Sequence, residues 1–446
     1  MTLTMNNDLI ITPATWPGRK DSLSRTPTDL LNLVGWYGST HSAAMWRKAS
    51  EFLAIFQAEG MPGFDPQIDS WDPSFAAVEA EVMATAAVII IRLENNELLN
   101  GSLGSIAETG LALTSAALRG QSVIVSVEDS MLTSLHDPGA IAQYMILEMF
   151  VEEIETNPAL GGLFQLHRGD NLADLAQLAC EAARQQMNTP LAGWNYPNFL
   201  AKRDRRQQNY PRRVVLGGSS GPYAETHRAT FEQKQKHLAA PYTNEDFALR
   251  ILSKGAIAEA WHIPYHNTDP LSTGLGMRTL LSIELEYKKE ADQLLLPIMA
   301  EAASKAAATE IGFLLLYGLM TGQEISIYLE PFDPADYLHH SLADVHVEAD
   351  ADEKSLRRAL RQAGVPDAVL ALATQAEVVE TAQLLSAFHQ PQTPTFKQVK
   401  QSLLGQTEAF HAADNIRRVR TLVQAHLEKL RGDVRYPDFF TYATQI

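Results

Sequence analysis

The chain has one cysteine, Cys180, among 446 residues. A lone thiol cannot close an intrachain disulfide, so the fold rests on its apolar core, and the usage fits a reducing compartment such as the cytoplasm. Cys180 falls in a helix-like stretch, Leu172 to Met187, where packing is the natural role for it. Long apolar runs are missing as well. No segment is long enough to span a bilayer, and Met1 to Pro27 has no signal-peptide apolar region, so it reads as a flexible arm. Basic residues are in deficit: 36 Lys and Arg against 53 Asp and Glu give a formal net charge of −17. That balance makes nucleic acid an unlikely partner. It still allows a small nucleotide, whose phosphate a local glycine-rich loop can hold inside an acidic protein.

What the chain does have is a repeat. Ser102-Leu-Gly-Ser-Ile-Ala-Glu108-Thr-Gly110 continues to Gly120-Gln121 and Glu128. Ser304-Lys-Ala-Ala-Ala-Thr-Glu310-Ile-Gly312 continues to Gly322-Gln323 and Glu330, at a constant offset of 202 (310 − 108). In both copies Gly-Gln leads into a β-like run. A polar pattern repeated in an apolar frame marks a duplicated domain.

The surrounding elements agree. Leu30 to Tyr37 reads as a strand ending in Gly38-Ser39-Thr40. Helices follow at Ser42 to Gln57 and Ser74 to Thr85, then a buried parallel strand, Ala87 to Leu93. The glutamate segment reads as a helix, Ile106 to Arg119, followed by a strand, Ser122 to Val127. Helices near Gly139 to Glu155 and Asn171 to Met187 close the unit. After a proline-rich, basic linker the pattern restarts at Arg213 to Leu216. It continues through a helix (Leu275 to Glu290), a strand (Gln293 to Met299), the second glutamate helix and a strand (Glu324 to Glu330). The expected architecture is therefore α/β: two tandem flavodoxin-like or Rossmann-like parallel-sheet domains, 30–187 and 213–345. An arm (1–29), a linker (188–212) and a helical C-terminal region (346–446) complete the division. The last reads as a lid or packing partner for the second domain.

Ligands of parallel α/β sheets bind beyond the carboxyl ends of the strands. Each unit sends a Gly/Ser turn there, Gly38-Ser39 or Gly217-Gly218-Ser219, and then a serine and a glutamate. The spacing puts Glu108 and Glu310 on the opening turn of a helix, whose dipole favours the ionised carboxylate. Such a group can attack an anomeric carbon. A Glu near a helix start is also a common capping residue, and repetition alone does not separate a kept site from a kept fold.

The set Ser102-Leu103-Gly104 through Glu108-Thr109-Gly110-Leu111-Ala112 resembles the nucleoside 2-deoxyribosyltransferase superfamily, above all its deoxynucleoside 5′-monophosphate N-glycosidases. Phe64-Asp65-Pro66-Gln67, Trp71-Asp72-Pro73 and Glu79-Ala80-Glu81 are similar to a signature of the same group. The resemblance covers about 31–129 well and about 214–330 more thinly. It implies that Glu108 attacks C1′ of a ribosyl or deoxyribosyl group, and that water or a second base completes the reaction. It implies substrate contacts from Gly38, Ser39, Asp65, Ser102 and Gly104, with Ser39 and Ser102 facing a 5′-phosphate. Glu310, Gly218, Ser219 and Ser304 hold the matching places in the second unit. No cofactor or metal is implied. The expected partner is a small nucleoside or nucleotide, and the two copies could pair within the chain or through a homo-oligomer.

The sequence also departs from that pattern. Arg92 and Glu94 stand where an acidic residue usually contacts the base, and Asn95 to Asn100 is an extra loop. Pro297 interrupts the second unit's strand, and Ala306-Ala307-Ala308 replaces Gly104-Ser105-Ile106. Gly217-Gly218-Ser219-Ser220-Gly221 fits a nucleophile-elbow motif, but its strand is the first of its unit rather than a central one. A nucleotide-binding sensor or scaffold with a degenerate site, or an NAD-cleaving effector, is the alternative to an N-glycosidase.

Overall fold

The computed structural model describes residues 9–16, 30–38, 46–67, 74–93, 103–128, 164–188, 211–217, 228–252, 270–298, 305–329, 352–362, 411–431 and 440–443, with a few short pieces between them. The linker at 189–210 and the acidic stretch around 333–351 lie outside them. Two sheets, each wholly parallel, organise the chain.

The first sheet contains β1 (Ile10–Ile11), β2 (Leu31–Gly38), β3 (Gly63–Phe64), β4 (Ala86–Leu93), β5 (Ser122–Val127) and β6 (Phe164–Arg168), in the order β1-β3-β2-β4-β5-β6. The second contains β7 (Arg212–Leu216), β8 (Phe247–Ile251), β9 (Gln293–Ile298), β10 (Glu324–Leu329) and β11 (Phe440–Ala443), in the order β11-β10-β9-β7-β8. Apart from β1 the two orders are the same. Each is the doubly wound 2-1-3-4-5 arrangement, whose direction of winding reverses between its first and third strands. The reversal falls between β2 and β4 in one unit and between β7 and β9 in the other.

β4 shows why the sheet is central. All eight of its residues are buried. Ile89, Ile91 and Leu93 face one core, and Val88 and Ile90 face another. A strand covered on both faces has to be apolar throughout, which is why its sequence is a run and not an alternation. On the outer face lie α1 (Ser50–Glu59) and α4 (Leu172–Asn188), and on the inner face α2 (Ser74–Thr85) and α3 (Leu103–Arg119). The second unit supplies α5 (Arg228–Ala239), α6 (Pro270–Glu290) and α7 (Lys305–Thr321), followed by α8 (Glu353–Gln362) and α9 (His411–Arg431). No helix among the described residues is long and apolar enough to cross a membrane.

Two parts of the chain differ from the sequence reading. Part of the stretch read as a flexible arm is sheet: Ile10–Ile11 pair with Gly63–Phe64, and Trp16 meets the edge of Phe64. The second unit also extends past residue 345, because β11 adds to β10 and α9 is the crossover between them. α9 does not simply cover its own unit. It packs on α2 and α3 of the first unit as well as on α7.

The repeated glycines and glutamines have a structural explanation. Gly120 and Gly322 take φ values of 70° and 73° just after α3 and α7, a left-handed helix end that favours glycine. Gln121 Nε2 then donates to the carbonyls of Met83 and Ala86, both at 2.7 Å. Gln323 Nε2 donates to those of Lys288 and Ala291, at 2.6 and 2.8 Å. Each glutamine ties the end of one helix to the start of the central strand.

Gly110 and Gly312 bring the two units together. A Cβ on Gly110 would lie 2.6 Å from Phe313 N, and one on Gly312 would lie 2.5 Å from Leu111 N. α3 and α7 thus cross backbone to backbone, and Thr114 Oγ1 donates across the crossing to the Gly312 carbonyl at 3.0 Å. Gly110→Ala is expected to cost about 1–3 kcal/mol through overpacking. A lowered urea midpoint with an unchanged slope would show it.

Cys180 is fully buried between α4 and the sheet. Burial, with Glu59 nearby, pushes its thiol up to about 12. The native protein should therefore resist a thiol reagent that reacts at once in denaturant. Rapid labelling of the folded protein would contradict this placement.

Candidate active site

The first unit gathers buried polar groups beside the point where its sheet reverses. Tyr37 and Gly38 end β2, and Gly38 turns with φ 128° against the Arg92 backbone, where a Cβ would collide. Arg47, in the short turn of 3-10 helix before α1, reaches back to this place. Its Nη2 donates to the Gly38 carbonyl at 2.8 Å, and its Nη1 pairs with Asp65 Oδ1 at 3.0 Å. Asp65 also accepts from the Gln67 backbone N–H at 2.9 Å. The residue proposed from the sequence to touch substrate thus has a fixed structural partner on its carboxylate.

Glu108 stands at the centre of the cluster and is 6% exposed. One correction concerns its place in the helix. α3 begins at Leu103, so Glu108 is its sixth residue, and α7 begins at Lys305, so Glu310 is likewise the sixth. Neither lies on the opening turn, and the helix dipole falls off within that turn. The charges around these carboxylates must therefore come from other side chains.

Those neighbours can be named. Tyr37 is buried, and its hydroxyl donates to the Glu79 carbonyl at 2.7 Å. Burial, and then the carboxylates of Glu79 and Glu108, hold its phenol well above the ordinary range, so it stays protonated and neutral. Burial lowers the Arg47 guanidinium, while Asp65, Glu108 and Glu79 act to keep it charged. From α9 comes His426, whose Nε2 is 3.6 Å from Glu108 Oε1.

The second unit repeats the frame with different occupants. The bonds of Gln121 and Gln323 match Met83 to Lys288, an offset of 205 (288 − 83). The same offset matches Glu79 to Glu284. Strand register matches Val34 to Val214, an offset of 180 (214 − 34), and so Tyr37 to Gly217. Among the described residues each unit therefore has a matching pair of buried glutamates, Glu79 with Glu108 and Glu284 with Glu310. In the second unit Lys288 Nζ lies 2.8 Å from Glu284 Oε1 and 2.7 Å from Glu310 Oε2, and it is fully buried. Burial acts to lower its pKa, but the two carboxylates outweigh that and raise it above the ordinary lysine range. A Cβ on Gly217 would lie 3.1 Å from Lys288 Cε. The exchange is thus paired: Tyr37 and Met83 in one unit, Gly217 and Lys288 in the other.

Several residues proposed from the sequence, Ser39, Ser102, Gly218, Ser219 and Ser304, lie outside the described residues, as does Glu94. Gly104 lies in the first turn of α3. Arg92 is buried, and its Nη1 donates to Ser126 Oγ at 2.9 Å and to the Gly169 carbonyl at 3.1 Å. It clamps β4, β5 and the end of β6 together. Sequence reasoning missed Tyr37, Arg47, Lys288 and His426 and gave Glu79 no role. The signal for Glu79 and Glu284 was present but displaced, since the loop between strand and helix is three residues longer in the first unit and shifts the offset from 205 to 202.

None of the protein-family models, curated proteins or solved structures compared with this chain matches it.

Proposed function

We propose that the first unit cleaves the N-glycosidic bond of a nucleoside or nucleotide, as an N-glycosidase or 2-deoxyribosyltransferase-like enzyme with Glu108 as nucleophile. The observation that carries this reading is the difference between the two carboxylates. Glu310 is bound by a lysine whose pKa is raised above the ordinary range, whereas Glu108 Oε1 is buried with no hydrogen-bond partner among the described residues. A carboxylate locked in a buried ion pair with lysine is a poor nucleophile, and a desolvated one outside such a pair is a better one. The first site also lies beside the reversal of the sheet, where ligands of this architecture bind.

In the reaction, a Glu108 oxygen forms a bond to C1′ as the bond from C1′ to the base nitrogen breaks. The base leaves with the bonding pair and takes up a proton. Water then adds to C1′ and the carboxylate departs, or a second base adds in its place. The neutral Tyr37 phenol and the Arg47 guanidinium line the same cluster. The substrate is a small nucleoside or nucleotide, and a cytoplasmic setting goes with it.

The test is release of free base by the full-length protein from a panel of nucleosides, their monophosphates and NAD. Release that depends on Glu108 supports the reading. Release that survives substitution of both glutamates would sink it, and binding without release would make the chain a nucleotide sensor.

A further inference from the structure

We infer that His426, on the C-terminal helix α9, is the positioning residue that holds Glu108 for attack, so that the second half of the chain completes the site of the first. This rests on the reading of Glu108 as the nucleophile.

Three observations support it. His426 Nε2 and Glu108 Oε1 face each other at 3.6 Å. Both residues are almost fully buried, and among the described residues neither of these two atoms has a hydrogen-bond partner. Two unsatisfied buried polar atoms in one contact are costly unless they serve each other. A closure of a few tenths of an ångström makes the hydrogen bond, and catalytic hydrogen bonds commonly tighten only in the substrate complex.

The second observation is the twin site. There the glutamate is held by Lys288 from its own unit, at 2.7 Å. In the first unit Met83 occupies that place and offers no charge. The group that reaches Glu108 from α9 is His426, which arrives from the other unit. The third observation is the reciprocal crossing of the crossovers. α9 lies across α2 and α3, while Met149, in the first unit's crossover, accepts from Ser282 Oγ on α6 at 3.9 Å.

The chemistry follows from the geometry. With Nε2–H donating to Oε1, the carboxylate is fixed in rotation and Oε2 is left to meet C1′. The same N–H stabilises the carboxylate when it departs from the glycosyl ester, so the interaction acts in both half-reactions.

The experiment uses the full-length protein with two substitutions. His426→Gln keeps an N–H donor near the Nε2 position, and His426→Leu keeps the apolar volume without a donor. His426→Leu should lower kcat for base release by about tenfold to a hundredfold, with KM within about twofold, and His426→Gln should recover most of the loss. A second readout needs no turnover: the 15N resonances of the His426 ring should move when Glu108 is replaced by glutamine. Equal kcat in wild type and His426→Leu, or equal losses in both variants, would overturn the proposal. If the wild type releases no base, the displacement reading fails by itself. The ring signal then decides the pairing, and an unmoved signal overturns that too.

Discussion

Glu108→Gln is expected to lower base release by roughly a thousandfold or more, while Glu310→Gln leaves release per folded molecule unchanged. An amide keeps the shape of the carboxylate and loses its negative charge. In the Glu108→Gln variant the amide can still face His426, so the fold should survive and the loss should appear in kcat. In the Glu310→Gln variant the amide oxygen can still accept from Lys288, and Glu284 still balances the charge. The difference follows from what surrounds each glutamate, since both occupy the sixth position of equivalent helices. Chromatography of free base, normalised to folded protein, separates the cases. Equal losses in the two variants would mean that the copies share one site or that neither reacts.

Lys288→Met should destabilise the protein by about 3–5 kcal/mol, because removing one partner of a buried ion group leaves uncompensated charge behind. Here two carboxylates, Glu284 and Glu310, lose the cation they share in a space that water barely reaches. In the first unit the equivalent place holds Met83, with Tyr37 at the position that is glycine in the second. Replacing all three together, Glu284→Gln, Lys288→Met and Glu310→Gln, should restore much of the loss, since neutralised triads are often tolerated. The sign with pH is fixed by the raised pKa of Lys288. Its contribution is fully present below the ordinary lysine value and fades only as the pH rises above it. At neutral pH the whole effect is therefore measurable as a shift in the urea midpoint. A midpoint within error of the wild type would mean that the triad does not hold the second unit together.

The sequence carried the frame of this fold further than its site. Strand β5 was legible to the residue, because Ser122–Val127 is a β-branched run that closes a capped helix. The five strands β1, β3, β6, β8 and β11 were not. Each has five residues or fewer, too short for a run or an alternation to stand out from loop, and β6 and β8 have most of their residues partly or fully exposed. Glu108 and Glu310 were found because repetition marks them. Their partners were hidden for two reasons. Tyr37 and Gly217 hold matching places in the two Gly/Ser turns, but that Tyr37 faces the glutamates shows only in the fold. His426 lies 318 positions from Glu108 (426 − 108), and its relation to that residue exists only once α9 has crossed to the other unit. The repeated Gly-Gln, by contrast, was conspicuous in the sequence and proves to be a structural tie.

The paired glycines at the crossing have a genetic consequence. When identical subunits meet on a two-fold axis, every substitution appears on both sides of it at once. In this chain each side is encoded separately. Gly110 and Gly312 can be changed one at a time, and a lysine can enter one half while the other keeps methionine. Joining the copies covalently has released them from having to be alike.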